Sequence, residues 1–123
     1  MLSNDKAILY FDGGCRPNPG AMRIAYVINN KGYSTTLAIG TNNVAEYTAL
    51  ITGLEKCLKD GGKEITVKGD SLLIIKQMLG EWKIKDKKLI PLNIMAKLLC
   101  NKVKVSFEWI PREKNLAGKI LEN

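Results

Sequence analysis

The apolar residues of this chain change their spacing near Gly40, and that change restricts the fold more than any other feature of the sequence. Before it, three apolar runs are short and bounded by turn residues: Ala7 to Phe11, Ile24 to Ile28 and Tyr33 to Ile39. After it, Val44, Tyr47, Ile51, Leu54 and Leu58 fall 3, 4, 3 and 4 residues apart, the stripe of an amphipathic helix. The first run stops at Asp12-Gly13-Gly14, which leaves an aspartate at the end of the strand. Asn29-Asn30-Lys31-Gly32 links the next two runs as a hairpin, so the first three strands should form an antiparallel meander. Thr41, Asn42 and Asn43 are helix-capping candidates, and Asp60-Gly61-Gly62 is a stop. Glu64 to Lys68 alternates apolar and polar residues as a fourth strand, and the intervening helix permits a crossover that lays it parallel to the first. Further helices are expected over Ser71 to Leu79 and Leu89 to Leu99, with a fifth strand over Val103 to Ile110. A last helix from Asn115 to Leu121, only about two turns long, is expected to fray. The expectation is one α/β domain over residues 1–123, with a five-stranded mixed sheet, three antiparallel strands then two parallel, flanked by helices.

The composition narrows the chemistry. The 123 residues include no histidine, which removes Ser/His, Cys/His and imidazole acid–base mechanisms. Cys15, Cys57 and Cys100 are an odd number without metal-ligand spacing, so zinc is not expected. Nineteen Lys and Arg against twelve Asp and Glu give a net charge of +7, which favours an anionic partner, nucleic acid first. The polar start and the short apolar run after it predict neither a signal peptide nor a membrane span, and unpaired thiols suit a reducing cytoplasm. Carboxylates remain for catalysis. Asp12 and Asp70 end strands that should be parallel neighbours, and ligands of open α/β sheets bind outside those carboxyl ends. Glu46 lies one turn into the first helix, on a face able to point the same way. Three carboxylates without histidine form a hard-oxygen set suited to Mg²⁺. Singly, each has an ordinary structural reading: a turn aspartate at Asp12, a helix cap at Asp70-Ser71, a first-turn acid at Glu46.

Four blocks together carry a family resemblance. Asp12-Gly13-Gly14-Cys15-Arg16-Pro17-Asn18-Pro19-Gly20, Thr41-Asn42-Asn43-Val44-Ala45-Glu46-Tyr47, Gly69-Asp70-Ser71 and Ile110-Pro111-Arg112-Glu113-Lys114-Asn115 resemble type 1 ribonuclease H over nearly the whole chain. The resemblance implies an endonuclease that hydrolyses the RNA strand of RNA/DNA hybrids, with Asp12, Glu46 and Asp70 holding two Mg²⁺ ions, or Mn²⁺ in their place. It further implies that Gly13, Gly14, Cys15, Asn18, Thr41, Asn42, Asn43, Ser71 and Asn115 lie along the hybrid, whose shallow groove exposes 2′-hydroxyls. Trp82 and Lys83, in a lysine-rich connector where longer relatives carry an extra basic helix, would add stacking and phosphate contact. A monomer is expected.

The chain departs from the family in its last helix. Four residues beyond the position of Asn115 the family carries a fourth carboxylate, and here Lys119 stands in its place. A slip of one residue puts Gly118 there instead. The resemblance therefore implies a weakly held second ion and reduced activity, with Glu113, Glu122 or water as stand-ins. The competing class is a hybrid-binding protein on the same fold with little turnover. The loop before Asn115 also lacks the histidine that many members carry.

Overall fold

The computed structural model describes residues 5–122. Its elements run β1 (Lys6–Cys15), β2 (Gly20–Ile28), β3 (Lys31–Gly40), α1 (Asn42–Lys59), β4 (Glu64–Gly69), α2 (Leu72–Met78), α3 (Leu89–Cys100), β5 (Lys104–Trp109) and α4 (Leu116–Glu122). A short 3₁₀ turn over Arg112–Lys114 precedes α4. The strands form one sheet in the order β3-β2-β1-β4-β5, antiparallel on the β3-β2-β1 side and parallel on the β1-β4-β5 side. The order and mixture of directions match the sequence expectation.

β1 alternates along its length, and the two faces of the sheet are covered differently. Leu9 and Phe11 point into the main core with Leu50, Leu54, Ile65 and Ile74, under the layer of α1, α2 and α3. Tyr10 points the other way, into a smaller cluster with Ala25, Val27 and Ala117 under α4. Buried polar groups tie the helical layer together: the Tyr47 hydroxyl donates to Gln77 Oε1 at 2.7 Å, and Asn93 Nδ2 donates to the Tyr47 oxygen at 3.1 Å. Among the described residues no buried side-chain nitrogen or oxygen lacks a partner.

Two sequence expectations need correction. Asp12 does not end its strand, because β2 continues to pair through Gly13↔Ile24, Gly14↔Arg23 and Cys15↔Met22, and the two glycines extend the ladder instead of turning. The last helix is not frayed: Ala117 and Gly118 are buried, and α4 packs on the second face of the sheet over β1 and β2, so packing supplies what its length does not. The β2–β3 hairpin forms as read, with Asn29 and Asn30 both at positive φ, 45° and 74°, as a two-residue turn of the favoured hand requires.

The approach that positions the site lies where α1 crosses β1. A methyl group built on Gly13 would overlap the carbonyl of Ala45 and press on the Glu46 amide, whereas one on Gly14 would meet only the Asn42 side chain, at 3.4 Å. Gly13→Ala should therefore cost about 2–3 kcal/mol, as overpacking against backbone does, and Gly14→Ala less than about 1 kcal/mol. Urea melts of the two variants check this, and equal costs would contradict the contact.

Candidate active site

β1 and β4 run parallel with Tyr10 opposite Lys68, so Asp12 and Asp70 each lie two residues beyond the last paired rung. They arrive side by side. Glu46 comes from the first turns of α1, whose start is set by Thr41: its hydroxyl accepts the Val44 amide at 3.3 Å. Because Gly13 lets α1 lie against β1, its amide reaches Glu46 Oε1 at 3.1 Å and holds that carboxylate beside the strand. Oxygens of Asp12, Glu46 and Asp70 all fall within 4.8 Å of one another.

The ordinary reading of Asp70 as a helix cap fails, since Ser71 caps α2 through Ile74 and leaves the Asp70 carboxylate free for the cleft. Asp70 is fixed by other means. The Trp109 indole donates to its backbone carbonyl at 3.1 Å, and Asn115 Nδ2 donates to its Oδ1 at 3.1 Å while also reaching the Phe11 carbonyl at 3.0 Å. Asn115 Oδ1 in turn accepts the Ala117 amide and starts α4. Asn115 is wholly buried. Its expected place on the nucleic acid is therefore corrected: every polar atom of the amide is spent on joining β1, Asp70 and α4, and it acts as a strut.

The cluster is electrostatically unfavourable by itself. Burial pushes Asp12 up to about 6, with the Asp70 charge adding and the Arg112 charge opposing. Glu46 is raised well above the usual carboxylate range, by burial first and then by the charges of Asp12 and Asp70. Oxygen donors that are desolvated, crowded and anionic fit a hard divalent cation, which would offset both costs.

Arg112 was not among the residues singled out for a role. Its Nη1 donates to Asp12 Oδ1 and Oδ2 at 3.4 and 3.3 Å and to Asp70 Oδ2 at 3.1 Å, and its Nε lies 3.6 Å from Glu122 Oε1. The sequence signal was its position, three residues before Asn115 in a block already recognised. Lys119, by contrast, is exposed on α4, and the position that faces the carboxylates is Gly118, where a built Cβ would lie 3.5 Å from Asp12 Oδ2.

The other expected contacts fall in two places. Gly13, Gly14, Cys15 and Asn42 line the cavity of about 890 Å³ that holds Asp12 and Arg112, together with Arg16 and Arg23. There the Asn42 side-chain oxygen accepts the Cys15 amide at 2.9 Å, and Asn18 Oδ1 accepts the Asn42 amide at 3.2 Å, so these residues brace one another at the rim. The Cys15 thiol is buried against Asn18, Gly40 and Asn42. Asn43, Trp82 and Lys83 line a second cavity of about 470 Å³ with Leu73, Gln77 and Leu89. Trp82 stays 44% exposed, so it is not folded into the core. Thr41 and Ser71 spend their hydroxyls on helix caps.

A sheet ordered β3-β2-β1-β4-β5, with acidic side chains from β1, α1 and the end of β4 gathered at one cleft, is a ribonuclease H-like fold. A family model described as reverse transcriptase-like matches residues 10–121. The ribonuclease HI of Halobacterium salinarum is 36% identical over 93% of this chain and 61% of its own length. The bifunctional protein Rv2228c of Mycobacterium tuberculosis is 40% identical over 96% of this chain and 35% of its own length. The solved N-terminal ribonuclease H domain of that mycobacterial protein superposes with a TM-score of 0.86 at 34% identity, covering 95% of this chain and 94% of the domain. LC11 ribonuclease H1, solved in complex with an RNA/DNA hybrid, gives 0.85 at 35% identity, covering 94% of this chain and 92% of its own. The chain belongs to the type 1 ribonuclease H family. It spans about a third of the mycobacterial relative and about three fifths of the halobacterial one. Among the described residues, no helix is long and apolar enough to cross a membrane.

The raised Asp12 fixes the sign of a stability effect. Between its unfolded value of 3.8 and its folded value of about 6, the folded protein holds a proton that the unfolded chain gives up, so metal-free stability should fall as pH rises through that window. Asp12→Asn should then stabilise the metal-free protein by about 3 kcal/mol at pH 8, with no gain below about pH 4. Thermal melts in chelator at both pH values check this; a destabilised variant at pH 8 would contradict it.

Proposed function

We propose that this chain is an endoribonuclease that hydrolyses the RNA strand of RNA/DNA hybrids with a divalent cation, Mg²⁺ or Mn²⁺, held by Asp12, Glu46 and Asp70. The observation that carries the reading is the convergence of those three carboxylates within 4.8 Å, with Asp12 on the wall of a cavity that Gly13, Gly14, Cys15 and Asn42 also line. The related ribonuclease H1 solved with a hybrid supports the choice of substrate. When bound, the cation supplies a more acidic water and neutralises charge at the phosphate.

The chain's own residues do the rest. The Gly13 amide and Asn115 hold Glu46 and Asp70 in place, so the ligand set is preformed. Beside the Gly13–Cys15 edge, whose Gly13 and Cys15 amides are taken up by Glu46 and Asn42, the side chains of Asn18 and Asn42 make a short polar rim, which suits 2′-hydroxyls and not base edges. Arg16 and Arg23, on the same cavity, offer charge to phosphates. Trp82 and Lys83, at the second cavity, suit contact with the strand that is not cut. α4 adds no acidic side chain directly over Asp12, so a second ion on that side would be weakly held. A hybrid-binding protein with little turnover is the second reading, favoured by that one feature.

A labelled hybrid incubated with Mg²⁺ tests the proposal. Cleavage should be confined to the RNA strand, and Asp70→Asn should lower it by about 100-fold or more while hybrid affinity is retained, because the amide keeps the shape and loses the charge. Cleavage by Asp70→Asn at the wild-type rate would reject the ligand assignment, and hybrid binding without cleavage by the wild type would favour the second reading. Hybrid should also bind more tightly than duplex DNA, with affinity for both falling steeply as salt rises. Equal affinity at every salt concentration would contradict groove recognition.

A further inference from the structure

The inner side of α3 is that of a core helix, with Leu89, Asn93 and Ala96 buried and Leu92 and Leu99 packed beside them. Its outer side is apolar as well. Ile90, Ile94 and Leu98 stand four residues apart on one ridge with Met95 next to it, and all four are exposed, Ile94 by 54% and Leu98 by 60%. Of the ten exposed large apolar side chains among the described residues, four therefore lie on one face of one helix. A helix that is apolar all round belongs between two covers, and here the outer one is open. Side chains without donors or charge offer nothing to phosphates or sugar hydroxyls, so this face is not a nucleic-acid surface.

We propose that the outer face of α3 is an interaction surface for a second copy of this chain, with α3 packed antiparallel on α3 about a two-fold axis at Ile94. The proposal stands independently of the ribonuclease reading and departs from the monomer expected of the sequence. A two-fold contact needs a self-complementary surface. The ridge is one: with the axis at Ile94, that residue meets its own copy and Ile90 meets Leu98. Charge selects the same register. From Lys87 to Phe107 the chain has five lysines and no acidic residue, so a copy set at random brings lysine onto lysine. About Ile94, Lys87 and Lys88 fall opposite Asn101 and Cys100, Lys97 falls opposite Pro91, and Lys102 falls opposite the exposed Asp86 at the start of the helix. No lysine of the helix then meets a lysine. The four apolar side chains leave roughly 350 Å² open on each copy, a patch as large as an ordinary monomer shows. Two such patches with their flanks bury roughly 1,000 Å² in all, the least a specific interface needs, so the dimer is a weak one that forms at micromolar concentrations. No residue of α3 lines the cavity that holds Asp12, so both copies keep that cavity open.

Sedimentation equilibrium of the intact chain from about 5 to 500 µM should show the mean mass rising from one chain toward two. Association should strengthen as salt rises to about 0.3 M, because two copies carrying +7 each repel. Ile94→Glu puts two like charges on the axis and should weaken association by about 30-fold or more. Ile39→Glu, at an exposed apolar position on β3, should leave it unchanged, and matched melting curves show that both variants fold. Under mild oxidation Ile94→Cys should link to itself, and Ile90→Cys should link only when mixed with Leu98→Cys, with the wild type and its own three thiols as the blank. A monomer at every concentration and salt would overturn the proposal. So would association lost in Ile39→Glu and kept in Ile94→Glu, or ready self-linking of Ile90→Cys, the mark of a parallel contact. Flotation with phosphatidylserine vesicles tests the other cover: a chain that stays monomeric and binds them through Ile94, less tightly as salt rises, would overturn the proposal in favour of an anionic membrane surface.

Discussion

Three carboxylates within 4.8 Å of one another, partly stripped of water, repel each other, and the structure around them is arranged to hold them there. The parallel pairing of β1 with β4 sets two of them on one rung. Gly13, by having no side chain, brings α1 close enough for the third. Asn115 then locks Asp70 to β1 and to the start of α4 in a single wholly buried amide. Each of these contacts is anchored in the core and not in the cleft, so the cluster is preformed. That separation lets a fold tolerate a site that opposes its own stability.

Much of the architecture was legible because it follows from periodicity and turn chemistry. The switch from strand-like runs to the Val44, Tyr47, Ile51, Leu54, Leu58 stripe marks the crossover that makes β4 parallel to β1, and Asn29-Asn30 marks the hairpin. What was not legible depends on contacts between distant segments. Asp12-Gly13-Gly14 reads locally as a turn, and only the partner strand β2 shows that it is extended. The seven residues of α4 look too short to persist, yet Ala117 is buried against Ala25 and Val27 on the second face of the sheet. Asn115 reads as a substrate-contacting group after a run of charged residues, and nothing in its neighbours announces that its partners are Phe11 and Asp70.

The last helix shows why counting along a motif is less informative than the direction of a side chain. Four residues beyond Asn115 gives Lys119, a cation where an anion was expected, and suggests repulsion within the site. Lys119 is exposed and Gly118 lies beside Asp12, while the positive charge in contact with the carboxylates is that of Arg112, from the turn before the helix. Solved relatives share the fold over more than nine tenths of this chain.

The central claim is that the repulsive trio of Asp12, Glu46 and Asp70 is a divalent-cation site. A cation that binds only the folded protein must raise its stability in proportion to the logarithm of its concentration once binding is saturated. Thermal denaturation at pH 8 in chelator and in a series of Mg²⁺ concentrations measures this directly. The account predicts a melting temperature that climbs with Mg²⁺ in the wild type and stays flat when Asp12 and Glu46 are both neutralised to Asn and Gln. A wild type whose melting temperature is indifferent to Mg²⁺ and to Mn²⁺ would contradict it.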